Sequence, residues 1–253
     1  MAQNKKIIIA NWKMNPQTLV EAKRLAQAYK EDLKKNKKVE LVVCPPTVFL
    51  SLLASEFKKS KLSFGIQDVF WEERGAYTGR VAATMAYSVG AGKVLVGHSE
   101  MRSFTDDNQT VNKKLKAVLK AGLQPVLCIG ETERDEAGQY LKVLEDQLKQ
   151  GLSGVKKADV AKIMVAYEPV WAIGAKAKSG DSPEGFLQNA LFIRKVLAGI
   201  VSQEKAMTIP VLYGGSVNAG NAGGFLTAGR ADGLLVGRVS LMSSQFRQVM
   251  NSF

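Results

Sequence analysis

Residues 125–129 read PVLCI, residues 138–152 read GQYLKVLEDQLKQGL, and residues 162–167 read KIMVAY. The outer two are short, apolar and rich in β-branched residues, as strands buried on both faces are. The middle one places apolar residues at helical spacing with charges elsewhere. Strand, helix and strand in succession make a parallel pair joined by a helical crossover. The same alternation runs outward in both directions. Strand-like runs occupy 6–10, 39–43, 62–66, 93–96, 209–213 and 233–236, so that eight are counted in all. The run at 62–66 is the weakest, because Ser63 and Gly65 interrupt it. Residues 18–33 carry Leu19, Ala22, Ala26, Tyr29 and Leu33 at helical spacing, and 111–121 behave likewise. A further helix is expected over 183–200, with Ser182 as its N-cap and Pro183 in its first turn.

Eight strand–helix units in 253 residues predict an α/β fold closed into a (β/α)8 barrel, eight parallel strands with outer helices. No Pro/Gly/Ser linker or charge run divides the chain, so residues 1–253 are expected to form a single domain. No sequence repeat of fixed period accompanies the structural one. The glycine pattern of dinucleotide-binding folds is missing after the first strand. Gly92-Lys93 is not a phosphate-binding P-loop, since Tyr87 stands at the first glycine position and no Ser or Thr follows the lysine.

Composition is that of an ordinary globular protein, 46% hydrophobic and 23% charged. Cys44 and Cys128 show no metal-binding spacing and are expected as reduced, buried residues of a cytoplasmic protein. Lys5-Lys6 before Ile7-Ile8-Ile9-Ala10 imitates a signal peptide, but Asn11 ends the apolar run too early. No run has the roughly 18 apolar residues of a membrane span, so no membrane partner is expected. The net charge of +12 admits a nucleic-acid partner or an anionic substrate. The lysines are scattered, as at Lys34-Lys35, Lys37-Lys38, Lys58-Lys59, Lys113-Lys114 and Lys156-Lys157. They suit solvated helix faces and adjoining loops, and no nucleic-acid partner is expected. A net positive field would help to collect a phosphorylated substrate.

Active sites of such barrels lie where the strands end. Asn11 and Lys13 follow the first run, His98 the fourth and Glu168 the sixth. Gly214-Gly215-Ser216 follow the seventh and Gly237 the eighth. A carboxylate, the chain's one histidine, an ammonium and two glycine-rich turns therefore meet on one rim. Glycines let backbone N–H groups approach an anion closely.

Ala166-Tyr167-Glu168-Pro169-Val170-Trp171-Ala172-Ile173-Gly174 resembles the signature of the triosephosphate isomerase family. Asn11-Trp12-Lys13-Met14-Asn15, Gly97-His98-Ser99-Glu100, Cys128-Ile129-Gly130-Glu131-Thr132, Tyr213-Gly214-Gly215-Ser216-Val217 and Asp232-Gly233-Leu234-Leu235-Val236-Gly237 resemble that family's other motifs, in its order. The similarity runs from about Ile8 to Leu241. It implies a TIM barrel that interconverts dihydroxyacetone phosphate and glyceraldehyde 3-phosphate through an enediolate, with no cofactor and no metal. By the same resemblance Glu168 is the base, His98 the electrophile and proton shuttle, and Lys13 the fixed positive charge. Asn11 donates to the substrate, and Glu100, beside Ser99, contacts Lys13. Ile173 and Leu235 would press over Glu168. Main-chain N–H groups of Gly174, Ser216, Gly237 and Arg238 would hold the phosphate. The lid would be Pro169-Val170-Trp171-Ala172-Ile173-Gly174-Ala175-Lys176-Ala177-Lys178-Ser179, latched by the Tyr213 hydroxyl. Gly75-Ala76-Tyr77-Thr78-Gly79-Arg80 resembles the loop that reaches into a second subunit, with Thr78 against the neighbour's Asn11 and Lys13, and implies a homodimer.

The chain departs from the family pattern in places. Lys176 replaces a lid glycine, and Arg238 stands where a second glycine is usual. Arg80 replaces a glutamate and Met101 an arginine, and Asp106 stands near a glutamate position. Other phosphosugar barrels fit less well. A Schiff-base aldolase needs a lysine inside the barrel, and Lys162 begins its strand at the wrong end. A metal-dependent epimerase needs more than one histidine.

Overall fold

The computed structural model describes residues 6–173 and 180–253. Eight strands, β1 (Lys6–Asn11), β2 (Val39–Cys44), β3 (Ser63–Ile66), β4 (Lys93–Val96), β5 (Gln124–Ile129), β6 (Met164–Tyr167), β7 (Val211–Tyr213) and β8 (Gly233–Val236), pair in chain order. Every pairing is parallel, and β8 returns to β1 with Leu234 opposite Ile8 and Val236 opposite Ala10. The barrel is closed, and all helix-to-strand connections lie at one end with all strand-to-helix connections at the other.

The near-continuous apolar strands follow from burial on both faces. Ile7, Ile9, Val42, Cys44, Leu95, Val126, Cys128, Met164, Ala166, Leu212 and Leu235 form one apolar cluster, the filling of the barrel. The alternate residues, such as Ile8, Ala10, Leu41 and Val43, belong to a second and larger cluster shared with the helices. Both cysteines are buried and unbridged in the inner cluster.

Local chemistry sets the helix starts. Thr18 caps the helix Leu19–Lys35 in a reciprocal capping box with Glu21. Ser182 caps Pro183–Ile200 by accepting from the Gly185 N–H. Asp107 accepts from the Thr110 N–H, so that helix begins at Asn108, earlier than periodicity predicts. Asp135 takes the N–H groups of Gln139 and Tyr140, and the next helix begins at Tyr140 rather than Gly138. Strand β6 begins at Met164, two residues later than expected, because Lys162 is turned outward to Asp159 at 2.7 Å. Periodicity missed the helix Thr47–Glu56, which is apolar on most sides, and several one- to two-turn helices too short to show a period.

Candidate active site

Strand β1 ends at Asn11, and the chain turns at once. Lys13 holds a left-handed backbone, φ 53°, that a residue with a side chain adopts only when its surroundings enforce it. The Asn11 side chain accepts from the Lys13 N–H at 3.0 Å, and Gln67 donates to the carbonyls of Lys13 at 2.8 Å and Cys44 at 3.0 Å. The ammonium of Lys13 then reaches Glu100 at 2.8 Å, as the resemblance implies. Both side chains are part-exposed, so this contact serves placement more than stability.

His98 follows β4 through Gly97 and caps the short helix Ser99–Phe104. The backbone N–H of Glu100 donates to its Nδ1 at 3.2 Å. Nδ1 therefore presents a lone pair, and the proton of the neutral ring resides on Nε2. Nε2 lies 3.4 Å from Glu168 Oε1. Behind this turn the Arg102 guanidinium donates to the carbonyls of Gly97 and Cys128 and to Asn108. Burial shifts Arg102 below the usual arginine range.

Glu168 follows β6 and is almost completely buried. Its Oε2 accepts from the Ser99 N–H at 2.9 Å, and its own N–H donates to the Ile129 carbonyl at 2.7 Å. Two glycines make room for it. A Cβ at Gly130 would overlap the Glu168 carbonyl, and one at Gly214 would stand 3.0 Å from Glu168 Cγ and 3.5 Å from Leu235 Cβ. Gly130 is held in turn by Gln147, which accepts from its N–H and donates to its carbonyl. Burial, reinforced by the Glu168 charge, pushes the nearby Cys128 thiol well above the usual thiol range.

Asn11, Lys13, His98, Glu168, Ile173, Ser216, Leu235, Gly237 and Arg238 all line one cavity of about 190 Å³ at this mouth of the barrel. Gly214, Gly215, Val217, Asn218 and Val239 complete its wall. The Ser216 hydroxyl donates to the Ala172 carbonyl at 2.7 Å, tying the turn after β7 to the 3-10 turn after β6. Arg238 opens a 3-10 turn, Arg238–Leu241, with its side chain exposed at the rim. The cavity is small, polar on one side and apolar over Glu168, and sized for a compact anion.

Pro169 precedes a 3-10 turn at Val170–Ala172. Glu131 accepts from both Trp171 Nε1 and the Tyr167 hydroxyl at 2.7 Å, and its carbonyl accepts from the Val170 N–H. Arg134 lies over the Trp171 ring and pairs with Asp181 at 3.3 Å, tying together residues on either side of 174–179. The expectations for Gly174, Ala175, Lys176, Ala177, Lys178 and Ser179 fall outside the described residues. Tyr213 is buried with its ring stacked on Phe225, its hydroxyl packs toward Gly215, and burial raises its pKa. Thr78 does not line the cavity of its own chain; residues 72–80 are an exposed run.

Sequence reasoning passed over Gln67, Gly130 and Gln147 as supports. Gln67 and Gln147 had no signal beyond an amide near a glycine or a strand end. Gly130 stood in a quoted motif without a role.

A family model described as triosephosphate isomerase matches residues 6–253. A triosephosphate isomerase of Citrifermentans bemidjiense is 43% identical over 249 residues, covering 97% of this chain and 98% of that protein. One of Dehalococcoides mccartyi (strain CBDB1) is 41% identical over 246 residues, covering 95% and 93%. One of Dictyoglomus turgidum is 38% identical over 252 residues, covering 98% and 99%. With a matching model over nearly its full length and relatives of this identity, the chain belongs to the triosephosphate isomerase family.

Proposed function

We propose that this chain interconverts dihydroxyacetone phosphate and D-glyceraldehyde 3-phosphate, with Glu168 moving the proton between the two carbons. The observation that supports the reading best is the convergence of Glu168, His98 and Lys13, from β6, β4 and β1, on one cavity of about 190 Å³. Glutamate as base and neutral histidine as electrophile is the family's established assignment. The Glu100 N–H on Nδ1 leaves Nε2–H to donate to the substrate carbonyl oxygen. Lys13, set by its left-handed backbone, brings positive charge to the oxygen where the enediolate charge develops.

The Glu168 carboxylate accepts from the Ser99 N–H and lies against the edge of His98. Turning toward substrate would break the Ser99 bond, and Ile173 and Leu235, which line the same cavity, would exclude water from the carboxylate. The phosphate would rest on the N–H groups of Ser216, Gly237 and Arg238, joined by Gly174 from the lid. The Arg238 N–H belongs to the first turn of a helical segment, where N–H groups have no intrahelical partner. A coupled isomerase assay tests the reading. Glu168→Gln should lower kcat by about 1,000-fold with little change in KM. A variant as active as the parent would refute Glu168 as the base.

The whole chain would act as one domain, and two copies would pair. Met14, Val48, Tyr77, Met85 and Phe104 are exposed apolar side chains near the loops that follow β1 to β4. Pairing through the loop carrying Thr78 would cover them and set Thr78 beside the partner's Lys13. Sedimentation should find a dimer that Tyr77→Asp weakens. A cytoplasmic setting is consistent with two buried thiols and with the finding that no helix among the described residues is long and apolar enough to cross a membrane.

A further inference from the structure

Among the described residues, the mouth that holds the cavity carries Lys13 and Arg238 but also a concentration of exposed acids. There the strand-to-helix connections and helix starts expose Glu100, Asp107, Glu133, Asp135, Glu136 and Glu184. At the opposite end, Lys37 and Lys38 precede β2, Lys58, Lys59 and Lys61 precede β3, and Lys156 and Lys157 stand in the connection to β6; all are exposed. Glu204, exposed in the connection to β7, makes no ion pair among the described residues, but other carboxylates at that end are engaged. Glu40 pairs with Lys93 at 2.8 Å, Asp159 with Lys162 at 2.7 Å and Asp232 with Arg194 at 2.6 Å. None of the seven named lysines has a carboxylate within 4.0 Å among the described residues.

We propose that the end of the barrel opposite the cavity is a docking face for an anionic lipid surface. Three observations point to that partner. First, closure of the barrel puts every helix-to-strand connection at one end, so the lysines before β2 and β3 and those before β6 ring a common face. A planar array of charge meets both groups at once, whereas a rod-shaped duplex laid along one group leaves the other in solvent. Second, lysines outnumber arginine on this face, where Arg230 is exposed in the connection to β8, and lysines are point charges suited to diffuse headgroup charge rather than the forked geometry with which arginine grips phosphates and bases. Third, Tyr87 and Met207 are 61% and 59% exposed in the connections to β4 and β7, at the same end. They give the face an interfacial aromatic and a flexible apolar side chain. Docked this way, the cavity faces away from the lipid and stays open to its substrate.

The test is co-sedimentation with phosphatidylcholine vesicles, with and without about 30% phosphatidylserine, alongside retention on duplex DNA at the same ionic strength. Binding is expected to the anionic vesicles only, and release in roughly 0.5 M salt. Lys58→Gln/Lys59→Gln/Lys61→Gln should lower partitioning by about 100-fold and Lys156→Gln/Lys157→Gln by about 30-fold. Isomerase activity in solution should be unchanged in both, which reports folding independently of lipid. Equal binding to neutral vesicles, no binding at low salt, undiminished binding of both variants, or tighter retention on DNA than on anionic vesicles would each overturn the proposal.

Discussion

Gly130 stands where only a bare backbone fits, since a Cβ would collide with the carbonyl of Glu168. Its effect on catalysis is indirect and steric. Gly130→Ala must push Glu168 and its carboxylate out of register with His98. We expect kcat to fall about 100-fold, with a stability loss of about 2 kcal/mol, by coupled assay and denaturant titration. The Gly214 position is less strict, because a Cβ there would meet Glu168 Cγ at 3.0 Å, a side-chain atom that can move, and the Tyr167 carbonyl only at 3.3 Å. The two thiols give a second residue-scale prediction. Burial pushes Cys44 up to about 12 and Cys128 well above the ordinary thiol range. A thiol whose pKa is raised is protonated at pH 8, and the thiolate is the reactive form. Native protein should resist iodoacetamide at that pH and take up two equivalents after unfolding. Rapid labelling of native protein would show an inner cluster open to solvent. The positions of Asn11 and Glu168 at strand ends were legible in the sequence because each follows an apolar run directly, and His98 and Lys13 stand one and two residues further on. Gln67 was not legible, since it acts on a carbonyl 54 positions earlier.

The segment around Trp171 works as an element because its anchors lie on other elements. Glu131, after β5, takes the indole N–H and the Tyr167 hydroxyl, while Arg134 bridges from the Trp171 ring to Asp181. Trp171→Phe deletes one donor to a buried carboxylate, a change worth about 1–3 kcal/mol in the hold on this hinge. If the segment after Trp171 closes over the substrate as proposed, the expected outcome is a larger share of methylglyoxal among the products, measured beside the isomerase rate, because a loosely held closure lets the enediolate lose phosphate. An unchanged share would remove Glu131 from control of the hinge. At this scale the sequence located the strands at 93–96 and 233–236 and the helix at 183–200 with its cap, because buried apolar runs and Ser182-Pro183 are local signals. It misplaced the starts of the helices at Asn108 and Tyr140, where the Asp107 and Asp135 carboxylates act just outside the periodic stretch.

For the molecule as a whole, closure depends on a few long-range ties as well as on the packed interior. Arg194, on the helix Pro183–Ile200, donates to the carbonyls of Ala206, Met207 and Ile209 and pairs with Asp232 at 2.6 Å, which itself accepts from the Val211 N–H. Arg194→Met should cost about 2 kcal/mol and lower Tm by about 4–8 °C, by calorimetry, with KM unchanged because the tie sits at the end remote from the cavity. The sequence by itself determined that eight apolar runs alternate with amphipathic helices, and which acid, imidazole and ammonium stand just past strand ends. Those are properties of neighbours along the chain, written in spacing and residue type. Only the tertiary structure decided that Nδ1 of His98 is occupied by a backbone N–H, that Gly130 must be bare, and that seven described lysines without an ion pair share the barrel end away from the cavity. Contact across the barrel and the sorting of loops to its two ends arise when β8 meets β1, and no local pattern carries them.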